Sequence, residues 1–222
     1  MPLISVQEAL ARGYRPSADK AWTLDVTGPD IELSSPRFGN VRTVVVTDEA
    51  GEPLWERPQY NEGPHIVAVA WGRKEGTIYV GLVLETRPHA QHPAREGDQV
   101  FWGVPRGFRK PGESAADAIK REVGDEAGGR VIISTHDVGW INPNPTFVGT
   151  YSPLVFVEVD IDRIDAVRPE RHEKIYRAKY IGLDELMHAI NGTFQEGGYF
   201  EDGVSLAAIM RFVSWVWVNN MR

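Results

Sequence analysis

The sequence predicts an α+β fold, a mixed-sheet sandwich carrying a small strand-rich N-terminal extension. Apolar runs of strand length flank helical patterns without a regular strand–helix–strand rhythm, which argues against a doubly wound sheet. Residues 1–62 hold alternating strand patterns, too few to bury both faces of a separate sheet. The length of 222 residues suits one domain of about 150–200 residues plus an appendage.

Ser5 followed by Glu8 reads as a capping box for a short helix carrying Val6, Ala9 and Leu10. Strand-like runs follow at residues 22–27, 31–33 and 41–47, the last closed by a turn at 48–51. Residues 57–64, with Pro58, Gly63 and Pro64, read as a linker. They divide an extension over residues 1–62 from a main domain over residues 63–222. That domain opens with a hairpin, strands 66–71 and 77–85 joined by a charged turn ending in Gly76. Residues 86–99 are polar, contain Pro88 and Pro93, and read as a loop; 100–102 form a short strand. A Gly/Pro-rich loop over 103–112 leads into a helix over 114–127. Strands at 131–133 and 154–159 flank a Pro-rich loop at 142–153, and another strand is expected at 175–181. Helices at 184–190 and 205–218 complete the pattern, with Trp215 and Trp217 expected to pack.

Composition excludes several classes of function. With no Cys, disulfide scaffolds, Cys-ligated zinc, Fe–S clusters and thiol nucleophiles are ruled out. The six His show no metal-ligand spacing. At 42% hydrophobic and 25% charged residues the chain is not disordered throughout. A formal charge of -7, from 24 Lys+Arg against 31 Asp+Glu, argues against a nucleic-acid partner. No apolar run reaches the ~20 residues of a membrane span; the most apolar, 206–218, contains Arg211. The N-terminus lacks the basic and apolar regions of a signal peptide. The expected location is cytoplasmic, without a membrane partner.

The chemistry concentrates in residues 107–129, GFRKPGESAADAIKREVGDEAGG. Ser114 can cap a helix whose first turn holds Asp117. At ~100° per residue, Glu122, Asp125 and Glu126 share about a third of the helix circumference, while Ile119, Val123 and Ala127 lie beside them. Three carboxylates at this spacing repel one another. A hard divalent cation would relieve that repulsion, and all-oxygen ligands suit Mg²⁺ or Mn²⁺. Gly128 is a natural helix terminator. A solvated acidic face is the ordinary account of such a helix; the glycine loop, Glu113 and Arg121 at fixed spacing weigh against it.

This segment resembles the Nudix box, G-x5-E-x7-R-E-U-x-E-E-x-G-U, where U is a bulky aliphatic residue. Gly107, Glu113, Arg121, Glu122, Val123, Glu126 and Gly128 match. Asp125 stands where the pattern has Glu, and Gly129 where it has an aliphatic residue. Fixed identities at roughly one in fifteen each put a chance match on the order of 1 in 10⁵. The resemblance implies a Nudix-type α/β/α sandwich and a metal-dependent pyrophosphohydrolase that cleaves a nucleoside diphosphate linked to another moiety. It implies metal ligation by Glu122 and Glu126, with Asp125 a further ligand or outer group and Arg106 offering its backbone carbonyl. It gives Arg121, paired with Glu113, the task of orienting the carboxylates.

Other stretches resemble the ADP-ribose pyrophosphatase branch of that family. Residues 1–62 are similar to the strand-rich piece that branch uses for dimerisation and substrate contact. Arg87 follows the second core strand, where the branch has a phosphate-contacting Arg. Val104-Pro105-Arg106-Gly107 resembles the branch's leucine-proline-alanine-glycine run into the box, and residues 200–210 resemble the start of its final helix. Pro145 lies near the proline associated with ADP-sugar substrates, and Phe147 is placed to stack a base. The loop over 168–174 offers Glu170 and Glu173 as candidate general bases. The resemblance thus implies a homodimer that takes ADP-ribose or a related ADP-sugar to AMP and a sugar phosphate. Two alternatives stay open: a Nudix enzyme for another nucleotide, such as a diadenosine polyphosphate or nucleoside triphosphate, and a catalytically silent nucleotide-sugar sensor. Bland readings stand beside these features too, since prolines build turns and loop carboxylates are often only solvated.

Overall fold

The computed structural model describes residues 16–17, 20–25, 39–47, 53–87, 99–142, 148, 150–169, 175–193, 198 and 200–221, with backbone alone before Glu62 and at Arg87, Gln99, Gly192 and Thr193. The expected helix near Ser5 and strand at 31–33 lie outside these residues. The chain divides into two compact units: Met1–Pro64 with Phe108–Pro111 and Asn142–Tyr151, and His65–Gly107 with Gly112–Ile141 and Ser152–Arg222.

The first unit contains β1 (Pro16–Ser17), β2 (Lys20–Asp25), β3 (Gly39–Thr47) and β4 (Pro53–Glu62), antiparallel and in the order β1-β2-β3-β4. β4 corrects the expectation of a linker at 57–64: Arg57 pairs with Val44 and Pro58 with Thr43. β4 is the last strand in the order, and an edge strand tolerates a proline that has no amide to give. Short polar ties hold the unit's later segments. The Asn142 amide donates to the Val148 and Thr150 carbonyls at 2.9 and 3.0 Å, the Thr150 hydroxyl donates to the Glu62 carbonyl at 3.0 Å, and the Arg109 N–H donates to the Pro64 carbonyl at 2.7 Å.

The second unit is an α/β/α sandwich. Its strands are β5 (His65–Lys74), β6 (Thr77–Arg87), β7 (Gln99–Gly103), β8 (Arg106–Phe108), β9 (Ile132–Ile141), β10 (Ser152–Val159) and β11 (Ile175–Gly182). The order is β11-β6-β5-β10-β9, with β7 on β6 and β8 on β5. β10 runs parallel to β5, whereas β5/β6, β6/β7, β6/β11 and β9/β10 are antiparallel, so the sheet is mixed. The helices are α1 (Ala115–Glu126), α2 (Leu183–His188) and α3 (Gly203–Val218), with a π turn at Ala189–Thr193 after α2.

β5 is buried on both faces, which is why it reads as the continuous apolar run IVAVAW. Val67, Val69 and Trp71 face α2 and α3, meeting Leu186, Ala208, Ile209, Phe212 and Val216. Ile66, Ala68 and Ala70 face α1, meeting Ala118, Ile119, Val123 and Ala127. The period-2 alternation of the strand thus divides one core into two layers. Alanines on both sides of the α1 layer let that helix lie close to the sheet.

Two further expectations need correction. β9 extends well past the predicted 131–133. It ends the strand order, and its middle residues are polar and largely exposed, so no apolar pattern announces it. Trp215 packs as expected, its ring 5.7 Å from Trp71 and 5.4 Å from Phe156. Trp217 is not buried with it but 64% exposed, because residues two apart on a helix point about 200° apart.

The end of α1 accounts for the unusual Gly129. Gly128 adopts a left-handed φ of 69°, and an ideal Cβ there would lie 2.1 Å from the Asp165 carbonyl oxygen. A Cβ at Gly129 would lie 2.9 Å from Val159 Cγ1 and 3.1 Å from the Tyr180 hydroxyl. The space that an aliphatic side chain would take is filled by β10 and β11 instead. The Tyr180 ring also covers Gly81, its cross-strand partner on β6. Its hydroxyl is buried without a hydrogen-bond partner, and burial pushes the phenol above its usual range.

A phenol held neutral in the fold, but free to ionise near pH 10 when unfolded, contributes stability that is lost as pH rises through about 10. Tyr180→Phe is therefore expected to match or exceed the wild type at pH 7, by up to about 1 kcal/mol. It is also expected to lose less stability between pH 9 and 11. Urea unfolding at several pH values measures both; a loss above about 2 kcal/mol at pH 7 would contradict the unpaired hydroxyl.

Candidate active site

The candidate site is built on α1 and β8. Ser114 caps α1 by accepting the Asp117 N–H at 3.1 Å. Along the helix, Glu122 and Glu126 are one turn apart, and both are buried, with 2% and 4% of their surface exposed. Removing a carboxylate from water costs several kcal/mol unless it is hydrogen-bonded or paired, so the groups that reach these two define the site.

Glu122 accepts from Arg121 Nη1 at 2.6 Å. Arg121 turns the rest of its fork to Glu113, Nε to Oε1 at 2.8 Å and Nη2 to Oε2 at 2.9 Å. This is the bidentate geometry that lysine cannot reproduce. The hydrogen bonds that Arg121 donates to Glu113, above all, hold its guanidinium above the usual range, with burial opposing and Glu122 adding to the effect. Glu126 Oε2 accepts the backbone N–H of Arg106 at 2.9 Å.

Gly107 shows why this position carries no side chain. An ideal Cβ there would fall 1.9 Å from Glu122 Oε1 and 2.4 Å from its Cδ. The Glu122 carboxylate occupies the volume that any other residue would fill. Arg106, one position earlier, sends its side chain to Asp202, with Nη1 3.1 Å from Oδ2.

Asp125 lies apart from the buried pair. Its carboxylate is half-buried and pairs with Arg130 Nη2 at 3.1 Å, while Arg130 Nε reaches Asp165 at 3.2 Å. Arg87 ends β6 opposite Gln99 of β7; its side chain lies outside the described residues, as do Pro145, Phe147, Glu170 and Glu173. The structure thus brings Arg106, Glu113, Arg121, Glu122 and Glu126 together. Asp202, Ser205 and Arg130 were not singled out from the sequence. Asp202 with Ser205 three residues on is a readable helix cap, but its contact with Arg106 is not.

The donor set suits a hard divalent cation. Both buried groups are carboxylates, and Gly107 leaves the Glu122 oxygens room. Among the described residues no three His, Asp or Glu side chains gather as a complete cage. Mg²⁺ sites usually complete themselves with water and substrate phosphate around one or two carboxylates.

Gly107→Ala is expected to leave the circular dichroism spectrum intact while displacing the Glu122 carboxylate. Overpacking of this kind costs about 1–3 kcal/mol, and Mn²⁺ affinity should fall at least tenfold. Unchanged affinity by titration calorimetry would show that the Glu122 position is not set by Gly107.

Comparison with known proteins bears on the family and the fold. A family model of the NUDIX domain matches residues 63–202. No match to a curated protein was found. Among solved structures, the crystal structure of an ADP compounds hydrolase superposes with a TM-score of 0.57 over 90% of this chain and 94% of that chain. At 13% sequence identity that likeness is one of fold. With a domain match covering most of its length and the box residues assembled on α1 and β8, this chain belongs to the Nudix family of pyrophosphohydrolases.

Proposed function

We propose that the chain hydrolyses a nucleoside diphosphate linked to a sugar, ADP-ribose first, giving AMP and a sugar phosphate. The observation that carries the catalytic part is the pair of buried carboxylates, Glu122 and Glu126, seated against Gly107 and the Arg106 amide. Nudix enzymes are generally dependent on divalent metals. Mg²⁺ or Mn²⁺ bound here would polarise the diphosphate and lower the pKa of the attacking water.

The chain's own residues supply position. Glu122 and Glu126 hold the cation, and the Arg106 carbonyl is a further candidate ligand. Arg121, forked onto Glu113 and touching Glu122, fixes the direction in which Glu122 presents its oxygens. Asp125 acts from outside, through water, its charge balanced by Arg130. Glu170 or Glu173 takes the proton from the water as it attacks phosphorus. One P–O bond forms, the bridging P–O bond breaks, and the second phosphate leaves with its half of the substrate.

Arg87, Pro145 and Phe147 are proposed to bind phosphate, stiffen a wall and stack the base. The extension over residues 1–62 contributes to a homodimer and to substrate contact. The similar fold of an ADP compounds hydrolase supports this choice of substrate. None of the described helices is long and apolar enough to cross a membrane, and we place the enzyme in the cytoplasm.

Glu126→Gln keeps the volume but removes the charge, and is expected to lower kcat by about 10²–10⁴. Near-wild-type turnover at saturating Mg²⁺ would overturn the assignment. Across ADP-ribose, ADP-glucose, diadenosine polyphosphates, NADH and nucleoside triphosphates, ADP-ribose should give the highest kcat/KM. A non-sugar substrate more than tenfold better, about 1.4 kcal/mol, would move the protein to another Nudix branch. Sedimentation at micromolar concentration should show a dimer; a monomer with full activity would remove the proposed role of residues 1–62.

A further inference from the structure

We propose that Asp202 and Ser205, at the start of α3, are positioning residues for the carboxylate site, acting through the segment 103–106. The inference rests on the reading of Glu126 as a cation-binding group and adds what holds that group in place.

A continuous line of hydrogen bonds leads from α3 to Glu126. Asp202 caps α3 by accepting the Ser205 N–H at 3.2 Å. Its carboxylate does more than cap: it also accepts the Ser205 hydroxyl and the Arg106 guanidinium, the latter at 3.1 Å. Ser205 is fully buried, and its Oγ accepts the Val104 N–H at 3.0 Å. Gly103 makes room for that hydroxyl, since an ideal Cβ there would lie 2.8 Å from it. One turn of α3 therefore fixes the connection between β7 and β8 at Gly103, Val104 and Arg106. The backbone N–H of that same Arg106 donates to Glu126 Oε2 at 2.9 Å.

A hydrogen bond orients its acceptor only as well as its donor is held. The Arg106 amide lies in a short strand, and its side chain is anchored to Asp202 by a mostly buried ion pair. Releasing the anchor lets the amide drift and the Glu126 carboxylate turn with it. Groups that orient metal-binding side chains typically change metal affinity or activity by about 10–100-fold when removed. A role confined to capping α3 would lower stability and leave cation affinity alone.

The test uses the full chain and Mn²⁺ as probe, with free Mn²⁺ read by electron paramagnetic resonance and folding by circular dichroism. Asp202→Asn retains a capping side chain but loses the charge that holds Arg106. Arg106→Ala removes the other end. Each should weaken Mn²⁺ binding about tenfold with an unchanged spectrum, and the double variant should be no weaker than either, because both break one tie. Wild-type affinity in both single variants, with binding lost in Glu126→Gln, would overturn the positioning role and leave the carboxylate site standing. Wild-type affinity in Glu126→Gln would remove the metal reading and this inference together. If Asp202→Asn fails to fold, Arg106→Ala, whose side chain is partly exposed, decides the question alone.

Discussion

The burial of two carboxylates on the face of α1 nearest the sheet is the constraint on which the rest of this site depends. Glu122 and Glu126 sit beside Val123 and Ala127, whose apolar side chains bind the helix to β5 and β10. The helix cannot pack without taking its carboxylates out of water. Each must then find a donor within the protein: Glu122 takes a guanidinium N–H from the helix itself and Glu126 an amide N–H from β8. Packing and electrostatics are solved by the same few residues.

The surrounding fold reads as support for that arrangement. Small residues in the layer between α1 and the sheet bring the helix close, and Gly107 removes the one side chain that would occupy the Glu122 seat. The far face of the sheet is heavier, with Trp71 and Phe156 buried against Phe212 of α3 and Trp215, also on α3, packed on all three. α3 is thereby fixed to the sheet, and its first turn offers Asp202 and Ser205 as rigid points. Gly129, an irregularity when seen as sequence, belongs to the same economy of volume, since Tyr180 and Val159 already fill its space.

Much of this was legible in the sequence where the information is local. The helix over 114–127, its Ser114 cap and its acidic arc depend on spacing along one helix, and spacing is what a sequence records. The reason for Gly107 was not legible, because a missing Cβ acquires meaning only beside the Glu122 carboxylate. The link from Asp202 to Arg106 spans 96 residues and that from Ser205 to Val104 spans 101, so no periodicity could connect them. The part of β4 from Arg57 on reads as a linker because a proline usually interrupts a strand, and only its place at the end of the strand order accommodates Pro58. The polar middle of β9 hid an edge strand in the same way.

Crystals grown with Mn²⁺ give the sharpest test of the proposal that Glu122 and Glu126 together hold a divalent cation. Anomalous scattering should place Mn²⁺ within about 2.0–2.3 Å of oxygens from both side chains, with Asp125 still turned to Arg130. Anomalous density absent from this pair, or ligated by Asp125 and not by Glu122, would contradict it.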